Sequence, residues 1–529
     1  MSAPVVWSVS GLDPGGGAGL SADQRAADAA GVHLCPVAAA LTAQDSLRVA
    51  AVMPVPAAQL HAQLEALLDD LPPAAIKTGL LGSVENVRVV ASMVDRLRQR
   101  RPAHLVVDPV LRASTGAVLA DDALVEAYRA WLLPRATVVT PNRAEARRIA
   151  HVEERVPALA RALRAAGARA SCITGGDADD ALALDWLDAA DATGWLAAPR
   201  RAGADNHGTG CAFATGLAAA LARGFDLRDA AVLAKMLTAS ALRADTAGSP
   251  FAPGQGAGPV RPRADFIDDA SLMPWVVDGE APPDHVPAMA GAAPRVTGLY
   301  AIADSGPQAA ALVAAGVRTV QLRMKADDPR AGPPAELADS LARHLPVAQA
   351  AARRAGGLLV LNDHWAAARA HGVEALHLGQ EDLAMLDDGA RAWLARARRG
   401  GLRLGISSHT PWELARARGW APDYIACGPV WPTPTKAMPW QPQGLDNLGW
   451  WVRMAGAPVV AIGGITSLDR LAQVADAGAA AGAVARALAG ASAGEVGAWR
   501  LAWEAAERAR EARRGGARVA SGWPHPCRA

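Results

Sequence analysis

The sequence between Asn206 and Cys211 combines glycines with a thiol immediately before an apolar helical pattern. Asn206-His-Gly-Thr-Gly-Cys211 is followed by AFATGLAAALA, which is typical of a buried helix. Glycines at a helix start expose backbone N–H groups, so Gly208, Thr209 and Gly210 are predicted to stabilise charge on a transferred phosphoryl group. Cys211 is predicted on the first helical turn, where the dipole lowers the pKa of a thiol. The pattern fits either a thiolate base or a packed helix cysteine.

Other polar motifs of the first half also follow strand-like runs. GLDPGGGAGLSAD brings consecutive glycines and Asp23 to a helix start, and Gln44 lies near another strand end. Open α/β sheets bind ligands at such ends, so both side chains are candidates for substrate contact, whereas the glycines fit a structural turn nearly as well. Asn142 and Glu145, in Thr140-Pro-Asn-Arg-Ala-Glu145, fit either contacts with a nucleotide phosphate and its Mg²⁺ or a helix cap.

In the second half, polar residues follow one strand-like run after another. Two acids together with arginine and lysine suit Mg²⁺ and a diphosphate, and Gly463-Gly464 suits a phosphate bound through backbone N–H groups. Because so many polar groups end successive strands, we predict a binding site where those ends meet. The residues are Gln321, Arg323, Lys325, Asn362, Asp363, Gln380, Asp382, Ser407, Thr433, Thr435, Lys436 and Gly464.

The elements that must position these residues form two β/α series. Up to about residue 245, apolar runs such as VVWSVS and HLVVDPV alternate with helical patterns, which predicts a parallel sheet covered by helices. The second series has eight strand-like runs separated by helical patterns, and eight is the number that closes a (β/α)₈ barrel. The runs are 298–304, 318–325, 358–363, 375–380, 402–408, 424–430, 458–464 and 482–488.

Composition changes divide the chain. We predict one domain over residues 1–265, a Pro/Gly-rich linker over 266–294, a barrel over 295–510 and a disordered tail over 511–529. DFIDDASLMPWVV, inside the linker, is expected to dock on one of the domains. Cys527 is expected to be exposed because it lies in the tail.

Charge and composition limit the classes of partner. The formal net charge of +1 gives no sign of nucleic-acid binding, and no apolar run reaches the roughly 20 residues of a membrane span. Small molecules are the expected partners, and assembly into a homo-oligomer stays open. Five dispersed cysteines without a C-x-x-C pair, and a start without a signal peptide, indicate a reducing cytoplasm. The four lysines among 53 basic residues stand out as point charges suited to phosphate.

The first half resembles the hydroxymethylpyrimidine and phosphomethylpyrimidine kinases of the ribokinase-like superfamily. GLDPGGGAGLSAD, Gln44, VVDPV, TPNRAE, NHGTGC and AKMLTASAL carry the resemblance. It implies an α/β/α sandwich that uses MgATP to phosphorylate a pyrimidine alcohol and then its monophosphate. It also implies that Asp23 and Gln44 bind the pyrimidine and that Gly208 to Cys211 form the anion hole, with Cys211 as base. The phosphates of MgATP would be bound by Asp108, Asn142, Glu145 and Lys235.

The second half is similar to thiamine phosphate synthase. QLRMK, VLND, HLGQED, GISSHT, GPVWPTPTK and AIGGIT carry the similarity. It implies condensation of hydroxymethylpyrimidine diphosphate with a thiazole phosphate, releasing diphosphate. The similarity implies that the pyrimidine diphosphate is bound by Gln321, Arg323, Lys325 and Asn362, and that Mg²⁺ is bound by Asp363 and Asp382. It also implies that the thiazole phosphate is bound by Thr433, Thr435 and Gly464, and that diphosphate is contacted by Ser407 and Lys436.

Two positions depart from the family patterns. Thr174-Gly-Gly stands where the kinases often have Lys-Gly-Gly, and Arg486 stands where the synthases often have serine. Arg486 either adds a cation near the thiazole phosphate or faces outward. Lys235, Lys325 and Lys436 fall in matched motifs, whereas Lys77 is expected to be structural. The alternatives are a pyridoxal- or sugar-type kinase in the first half, or a non-catalytic ligand sensor in one half.

Overall fold

The computed structural model describes residues 3–113, 116–176, 181–201, 206–242, 257–287, 296–325, 335–433, 440–513 and 522–527. The chain forms two compact units, residues 1–286 and residues 287–529. Within the described ranges, no helix has both the length and the apolar character to cross a bilayer.

Within its described residues, the first unit contains ten strands and eight α-helices. The strands are β1 (Val5–Leu12), β2 (His33–Gln44), β3 (Val49–Pro54), β4 (Ala75–Thr78), β5 (His104–Val107), β6 (Val138–Val139), β7 (Ser171–Ile173), β8 (Leu182–Asp188), β9 (Thr193–Pro199) and β10 (Trp275–Val277). The helices are α1 (Gly19–Ala30), α2 (Ala57–Leu68), α3 (Val84–Arg100), α4 (Asp122–Ala127), α5 (Arg143–Ala150), α6 (Val156–Ala165), α7 (Thr209–Ala222) and α8 (Leu227–Ala241).

The ten strands form one sheet in the order β10-β9-β8-β7-β6-β5-β4-β1-β2-β3. Its centre, from β7 to β2, is parallel, and its two ends are antiparallel. Helices α1, α7 and α8 cover one face, and a large apolar core joins the other face to helices such as α2 and α3. The central strands are apolar on both sides because both faces are covered. The predicted α/β/α sandwich is confirmed.

Part of the predicted linker belongs to this unit. Strand β10 pairs with β9, and Phe266 and Leu272, in short 3₁₀ turns before it, are buried beside α8. The prediction that residues 266–294 form a linker is therefore wrong for residues 266–286, which belong to the first unit. The expected docking of DFIDDASLMPWVV is confirmed. The segment has five buried apolar side chains, Phe266, Ile267, Leu272, Met273 and Val276, but the proline and glycine around it made its composition typical of a linker.

The second unit is a closed barrel of eight parallel strands. The strands are β11 (Gly298–Ala303), β12 (Thr319–Leu322), β13 (Leu358–Asn362), β14 (Ala375–Leu378), β15 (Arg403–Ser408), β16 (Tyr424–Cys427), β17 (Val459–Ile462) and β18 (Ala481–Val484). The helices are α9 (Gly306–Ala314), α10 (Ala335–Arg354), α11 (Trp365–His371), α12 (Gln380–Met385), α13 (Asp388–Arg399), α14 (Pro411–Gly419), α15 (Gly444–Met454), α16 (Leu468–Asp476) and α17 (Ala493–Arg513). The predicted (β/α)₈ barrel is confirmed.

The last described residues lie against α15. Gln441 N donates to the Cys527 carbonyl at 2.9 Å, and His525 N donates to Asn447 Oδ1 at 2.9 Å. Asn447 is completely buried and Cys527 is 1% exposed. The prediction of a disordered tail with an exposed cysteine is therefore wrong for residues 522–527. These residues are held in place by hydrogen bonds to the buried Asn447 side chain and to the backbone N–H of Gln441.

Candidate active sites

In the first unit, Asp13 shapes the glycine loop that joins β1 to α1. Its carboxylate accepts hydrogen bonds from the backbone N–H groups of Gly15 at 2.9 Å, Gly17 at 3.0 Å and Ala18 at 2.9 Å. Burial acts to raise the pKa of Asp13, but these bonds and His207 outweigh it and lower the pKa. An ionised Asp13 thus fixes the loop. Sequence analysis missed this residue, although it lies inside the motif.

The second glycine motif packs directly on this loop. His207 Nε2 lies 3.3 Å from Asp13 Oδ2 and 3.3 Å from Gln44 Nε2. A Cβ on Gly17 would come within 2.0 Å of the His207 ring, and a Cβ on Gly208, whose φ is +93°, would come within 2.5 Å of Gly17 O. The structure therefore requires glycine at both positions and brings Gln44 to the junction of the two motifs.

Asp23 lies beneath these loops. It is completely buried, and its carboxylate accepts hydrogen bonds from Ser8 Oγ at 2.6 Å and Thr215 Oγ1 at 2.8 Å. Lys77 Nζ adds bonds at 2.9 and 3.0 Å to its two oxygens. The prediction that Asp23 contacts the pyrimidine is therefore not supported, because protein groups already occupy both oxygens out of reach of a ligand.

Asp108, at the end of β5, completes a buried charge cluster with Asp23 and Lys77. Its Oδ2 atom lies 3.6 Å from Lys77 Nζ and has no hydrogen-bond partner among the described residues. Burial and the Asp23 carboxylate raise the pKa of Asp108 to about 6, against the effect of Lys77. A buried carboxylate oxygen left without a donor fits a cation ligand.

Cys211 lies in the first turn of α7, which begins at Thr209 directly after the Gly208 cap. A Cβ on Gly210 would meet no atom, so the backbone there faces open space. Burial, with the Asp23 and Asp108 carboxylates nearby, raises the pKa of the Cys211 thiol to about 12, against the effects of Lys77 and the Gly19 N–H. The prediction of a lowered thiol pKa is therefore wrong: desolvation and two neighbouring anions outweigh the helix dipole.

Asn142 and Glu145 form a capping box at the start of α5. Glu145 N donates to Asn142 Oδ1 at 2.9 Å, Asn142 N donates to Glu145 Oε2 at 3.0 Å, and Leu111 N donates to Glu145 Oε1 at 3.1 Å. The helix-cap interpretation is thus confirmed. Both residues also line a cavity of about 740 Å³ whose rim carries Arg112 and Arg147, so a nucleotide contact stays a prediction.

Lys235 lies below the turn formed by Thr174, Gly175 and Gly176. Its Nζ donates to Asp185 Oδ2 at 2.7 Å, and Asp185 Oδ1 accepts from Gly175 N at 3.1 Å. Only 8% of the Lys235 side chain and 5% of the Asp185 side chain are exposed. The lysine is therefore paired with a carboxylate that supports the turn, and contact with ATP phosphates stays a prediction.

In the second unit, one cavity of about 1030 Å³ opens at the carboxyl ends of the barrel strands. The predicted ligand-binding residues in the described part of the barrel line it with the exception of Gln380, which is buried and donates to the Ser407 carbonyl at 2.7 Å. Thr435 and Lys436 lie outside the described residues. Arg486, in the 3₁₀ turn after β18, also lines the cavity, so it faces inward. The predicted residues that line it are Gln321, Arg323, Lys325, Asn362, Asp363, Asp382, Ser407, Thr433, Gly464 and Arg486.

Asp363 and Asp382 face each other in this cavity. Asp363 has a left-handed backbone with φ of 64°, a conformation that costs free energy and is often found at functional sites. Asp382 Oδ2 accepts a hydrogen bond from Gly379 N at 2.7 Å. Burial and the Asp382 carboxylate raise the pKa of Asp363 to about 7. Paired carboxylates fit Mg²⁺, with phosphate or water oxygens as further ligands, since the described residues contain no three-member His, Cys, Asp or Glu cluster.

A chain of hydrogen bonds crosses the floor of the same cavity. Gln321 Nε2 donates to Tyr300 OH at 3.0 Å, and the hydroxyls of Tyr300 and Tyr424 are 3.0 Å apart. His377 Nδ1 lies 3.0 Å from Tyr424 OH, and His377 Nε2 lies 2.9 Å from Ser407 Oγ. Sequence analysis missed both tyrosines and the histidine. The pattern HLGQED contains His377 at a strand position, where alternation with Leu376 and Leu378 marks it as inward-facing.

Both halves of the chain match known families. Residues 13–261 match the phosphomethylpyrimidine kinase family, and residues 298–488 match the thiamine monophosphate synthase family. A hydroxymethylpyrimidine/phosphomethylpyrimidine kinase of Synechococcus elongatus is 38% identical over 265 residues, 49% of this chain and 97% of the relative. A thiamine-phosphate synthase of Rhizobium etli is 44% identical over 186 residues, 35% of this chain and 83% of the relative.

One relative spans both units. The probable chloroplastic thiamine biosynthetic bifunctional enzyme of Oryza sativa subsp. japonica is 30% identical over 489 residues, which are 88% of this chain and 81% of the rice protein. Because the alignment covers 88% of this chain, that single relative aligns with residues of both family matches. The chain belongs to the bifunctional thiamine biosynthetic enzymes, in which a hydroxymethylpyrimidine/phosphomethylpyrimidine kinase and a thiamine-phosphate synthase are fused.

Proposed function

We propose that the first unit phosphorylates 4-amino-5-hydroxymethyl-2-methylpyrimidine twice with ATP and that the barrel joins the resulting diphosphate to 4-methyl-5-(2-phosphoethyl)thiazole. The products of the second reaction are thiamine phosphate and diphosphate. The observation that carries the proposal is the convergence of cationic, amide and carboxylate side chains on one barrel cavity, in a chain whose other unit places a thiol at a glycine-rich helix start.

In the kinase unit, the backbone N–H groups of Gly208, Thr209 and Gly210 bind the transferred phosphoryl group, and Gln44 contacts the pyrimidine. The substrate hydroxyl oxygen forms the new bond to phosphorus while the bond to the ADP oxygen breaks. Cys211 accepts the hydroxyl proton. Mg²⁺, held at Asp108, supplies neutralisation of phosphate charge when it is bound. Asp23 and Lys77 hold Asp108 in place rather than touching the substrate.

The raised pKa of Cys211 limits how the thiol works. A thiol with a pKa of about 12 is protonated at neutral pH. A cation bound at Asp108 offsets one of the two carboxylates that raise this pKa, so we expect the assembled site to ionise the thiol more readily than the free enzyme does. The kinase step is therefore expected to be faster when a cation is bound at Asp108.

In the synthase unit, the carbon–oxygen bond between the pyrimidine methylene and the diphosphate breaks first. Arg323, Lys325 and Lys436 hold the departing diphosphate, and Asp363 and Asp382 hold Mg²⁺, which supplies charge neutralisation when it is bound. The thiazole nitrogen then captures the pyrimidinylmethyl cation. No protein nucleophile is needed because positioning and charge stabilisation carry both steps.

The second substrate carries one phosphate group, and we propose that this group binds at the turn after β17. Gly464 has φ of 71° and lies against Trp431, where a Cβ would come within 2.5 Å of the Trp431 Cβ. We propose that its backbone N–H, with Thr433 and Thr435, binds the thiazole phosphate. Arg486 faces the cavity and adds a cation at a position that the related synthases often fill with serine, so it tightens this site.

The experiment supplies the full chain with the pyrimidine alcohol, the thiazole phosphate and MgATP, and measures thiamine phosphate. Cys211→Ala should lower pyrimidine phosphorylation by about 100-fold or more, the scale of a positioned base. Synthase turnover with ready-made pyrimidine diphosphate should persist in that variant and be lost in Asp382→Ala. Phosphorylation of pyridoxal or a sugar, without phosphorylation of the pyrimidine, would contradict the proposal. Location in the cytoplasm and assembly into a homo-oligomer stay predictions.

A further inference from the structure

The hydrogen-bond chain on the barrel floor joins two residues proposed to bind opposite ends of one substrate. Gln321 is assigned to the pyrimidine and Ser407 to the diphosphate, and Tyr300, Tyr424 and His377 connect them. Both tyrosines are nearly inaccessible, with exposures of 2% and 1%, and His377 is 7% exposed. Buried hydroxyl protons need acceptors, so the direction of each bond can be derived.

The direction follows from the Gln321 end. An amide nitrogen can only donate, so Tyr300 OH accepts from Gln321 Nε2 and keeps its own proton for another acceptor. Tyr424 OH is the one acceptor that the described residues offer it, at 3.0 Å. If Tyr424 donated to Tyr300 instead, the Tyr300 proton would have no acceptor among the described residues. Tyr300 therefore donates to Tyr424.

The same reasoning fixes the imidazole tautomer. Because Tyr424 accepts from Tyr300, its proton goes to His377 Nδ1 at 3.0 Å. The ring proton of a neutral His377 is then on Nε2, which donates to Ser407 Oγ at 2.9 Å. No acceptor for the Ser407 hydroxyl proton occurs among the described residues, and this side chain lines the cavity. That proton is consequently available to a ligand.

We propose that Tyr300, Tyr424 and His377 are positioning residues of the synthase, which hold His377 as its Nε2–H tautomer so that the Ser407 hydroxyl donates to the diphosphate. The inference rests on the proposed function of the barrel. It also assigns a specificity device to Gln321: an aminopyrimidine offers N–H groups to Gln321 Oε1, which keeps Gln321 Nε2 directed at Tyr300. Recognition of the amine at one end thereby orients a hydrogen-bond donor for the leaving group at the other end.

The tautomer itself is the first test. Nitrogen-15 NMR of histidine-labelled protein, with His377→Gln used to assign the signal, should show a proton on Nε2 and none on Nδ1. A proton on Nδ1 would mean that Ser407 donates to His377 and that the chain runs in the opposite direction, which overturns the inference. Neither result depends on turnover.

The second test is a double-mutant cycle on synthase turnover. Ser407→Ala and Tyr424→Phe should each lower kcat by about 10- to 100-fold, the range for a hydrogen bond to a charged group, and the double variant should lose no more than the larger single loss. His377→Gln, which keeps a donor near Ser407, should recover most of the activity that His377→Phe loses. Multiplying losses in the double variant would overturn the inference.

Folding and the proposed function have separate controls. Kinase turnover of the same molecules reports an intact first unit, and Tyr128→Phe, the tyrosine variant of the other unit, should leave synthase turnover unchanged. A thermal melt of the barrel identifies variants that lose stability, and if Tyr424→Phe is one of them, Tyr300→Phe takes its place in the cycle. If the unsubstituted chain forms no thiamine phosphate, the proposed function is refuted. If Ser407→Ala leaves synthase turnover unchanged, only this inference is refuted.

Discussion

Lys77 Nζ lies 2.9 Å from Asp23 Oδ1, and both side chains are completely buried beneath the glycine loops of the kinase unit. The pair does not stand alone, because Asp108 lies 3.6 Å from the same nitrogen. One buried lysine thus faces two carboxylates. Its raised pKa follows from those carboxylates, which outweigh the effect of burial.

Lys77→Met is expected to destabilise the kinase unit by about 3–5 kcal/mol, because removing the cation leaves two carboxylates buried without a counter-charge. Calorimetry of the full chain should show the kinase transition at a lower temperature and the barrel transition unchanged. Lys325→Met, which removes an exposed lysine of the barrel, is the matched control and should leave the kinase transition in place. An unshifted kinase transition in Lys77→Met would show that the cluster contributes no net stability.

The pH dependence of the kinase tests whether Cys211, and not the neighbouring Asp108 carboxylate, accepts the substrate proton. With a pKa of about 12, the ionised fraction of Cys211 rises about tenfold for each pH unit, so kcat/KM should increase with a slope near one between pH 7 and 9. A carboxylate with the pKa of Asp108, about 6, would instead give a plateau above neutral pH. Such a plateau, retained in Cys211→Ser, would transfer the role of base from Cys211 to Asp108.

Protons and Mg²⁺ should compete at Asp363. A metal ligand must be ionised, and the pKa of Asp363 is about 7, so the Mg²⁺ concentration for half-maximal synthase turnover should rise about 10-fold from pH 8 to pH 6. Asp382→Asn removes the neighbouring charge, which should lower the pKa of Asp363 and flatten this dependence while weakening Mg²⁺ binding at every pH. An identical Mg²⁺ requirement at both pH values would contradict the assignment.

The two units are expected to fold as separate fragments when cut at the boundary seen in the structure. Fragment 1–286 should be folded and active as a kinase. Fragment 1–265 should be insoluble or melt far lower, because it lacks β10 and the buried side chains of Phe266, Leu272 and Val276, each worth about 1.5–3 kcal/mol. Equal melting temperatures of the two fragments would show that residues 266–286 do not stabilise the unit.

Removal of residues 514–529 should lower the melting temperature of the barrel. The truncation leaves the buried amide of Asn447 and the backbone N–H of Gln441 without the hydrogen bonds that residues 522–527 provide. Kinase turnover on the same chain should stay unchanged, which separates this effect from general damage. Cys527→Ala, with the tail backbone kept, should have a smaller effect than the truncation. A barrel transition at the original temperature would mean that the tail contributes nothing to stability.

Much of the architecture could be predicted because it depends on patterns within short segments. Apolar runs of strand length alternate with helical patterns, and each of the eight predicted barrel runs overlaps a strand. Several observed strands end earlier than predicted: β12 stops at Leu322, whereas the predicted run continued to Lys325. Arg323 and Lys325 follow the strand and line the cavity at the rim of the barrel. The motif residues of the barrel could be chosen for the same reason, since strand ends must meet at one rim.

Only the tertiary structure decided which charged groups face a ligand and which face one another. Asp23 and Lys77 lie 54 residues apart, and nothing local predicts that they form a buried pair. Burial, together with the Asp23 and Asp108 carboxylates, reverses the expected shift of the Cys211 pKa against the effect of Lys77. Likewise, Tyr300 and Tyr424 are separated by 124 residues and become neighbours only when the barrel closes. The sequence by itself determined the two folds and the chemistry of their motifs, because periodicity and residue type are local. The protonation states and the buried networks depend on distances that folding alone sets.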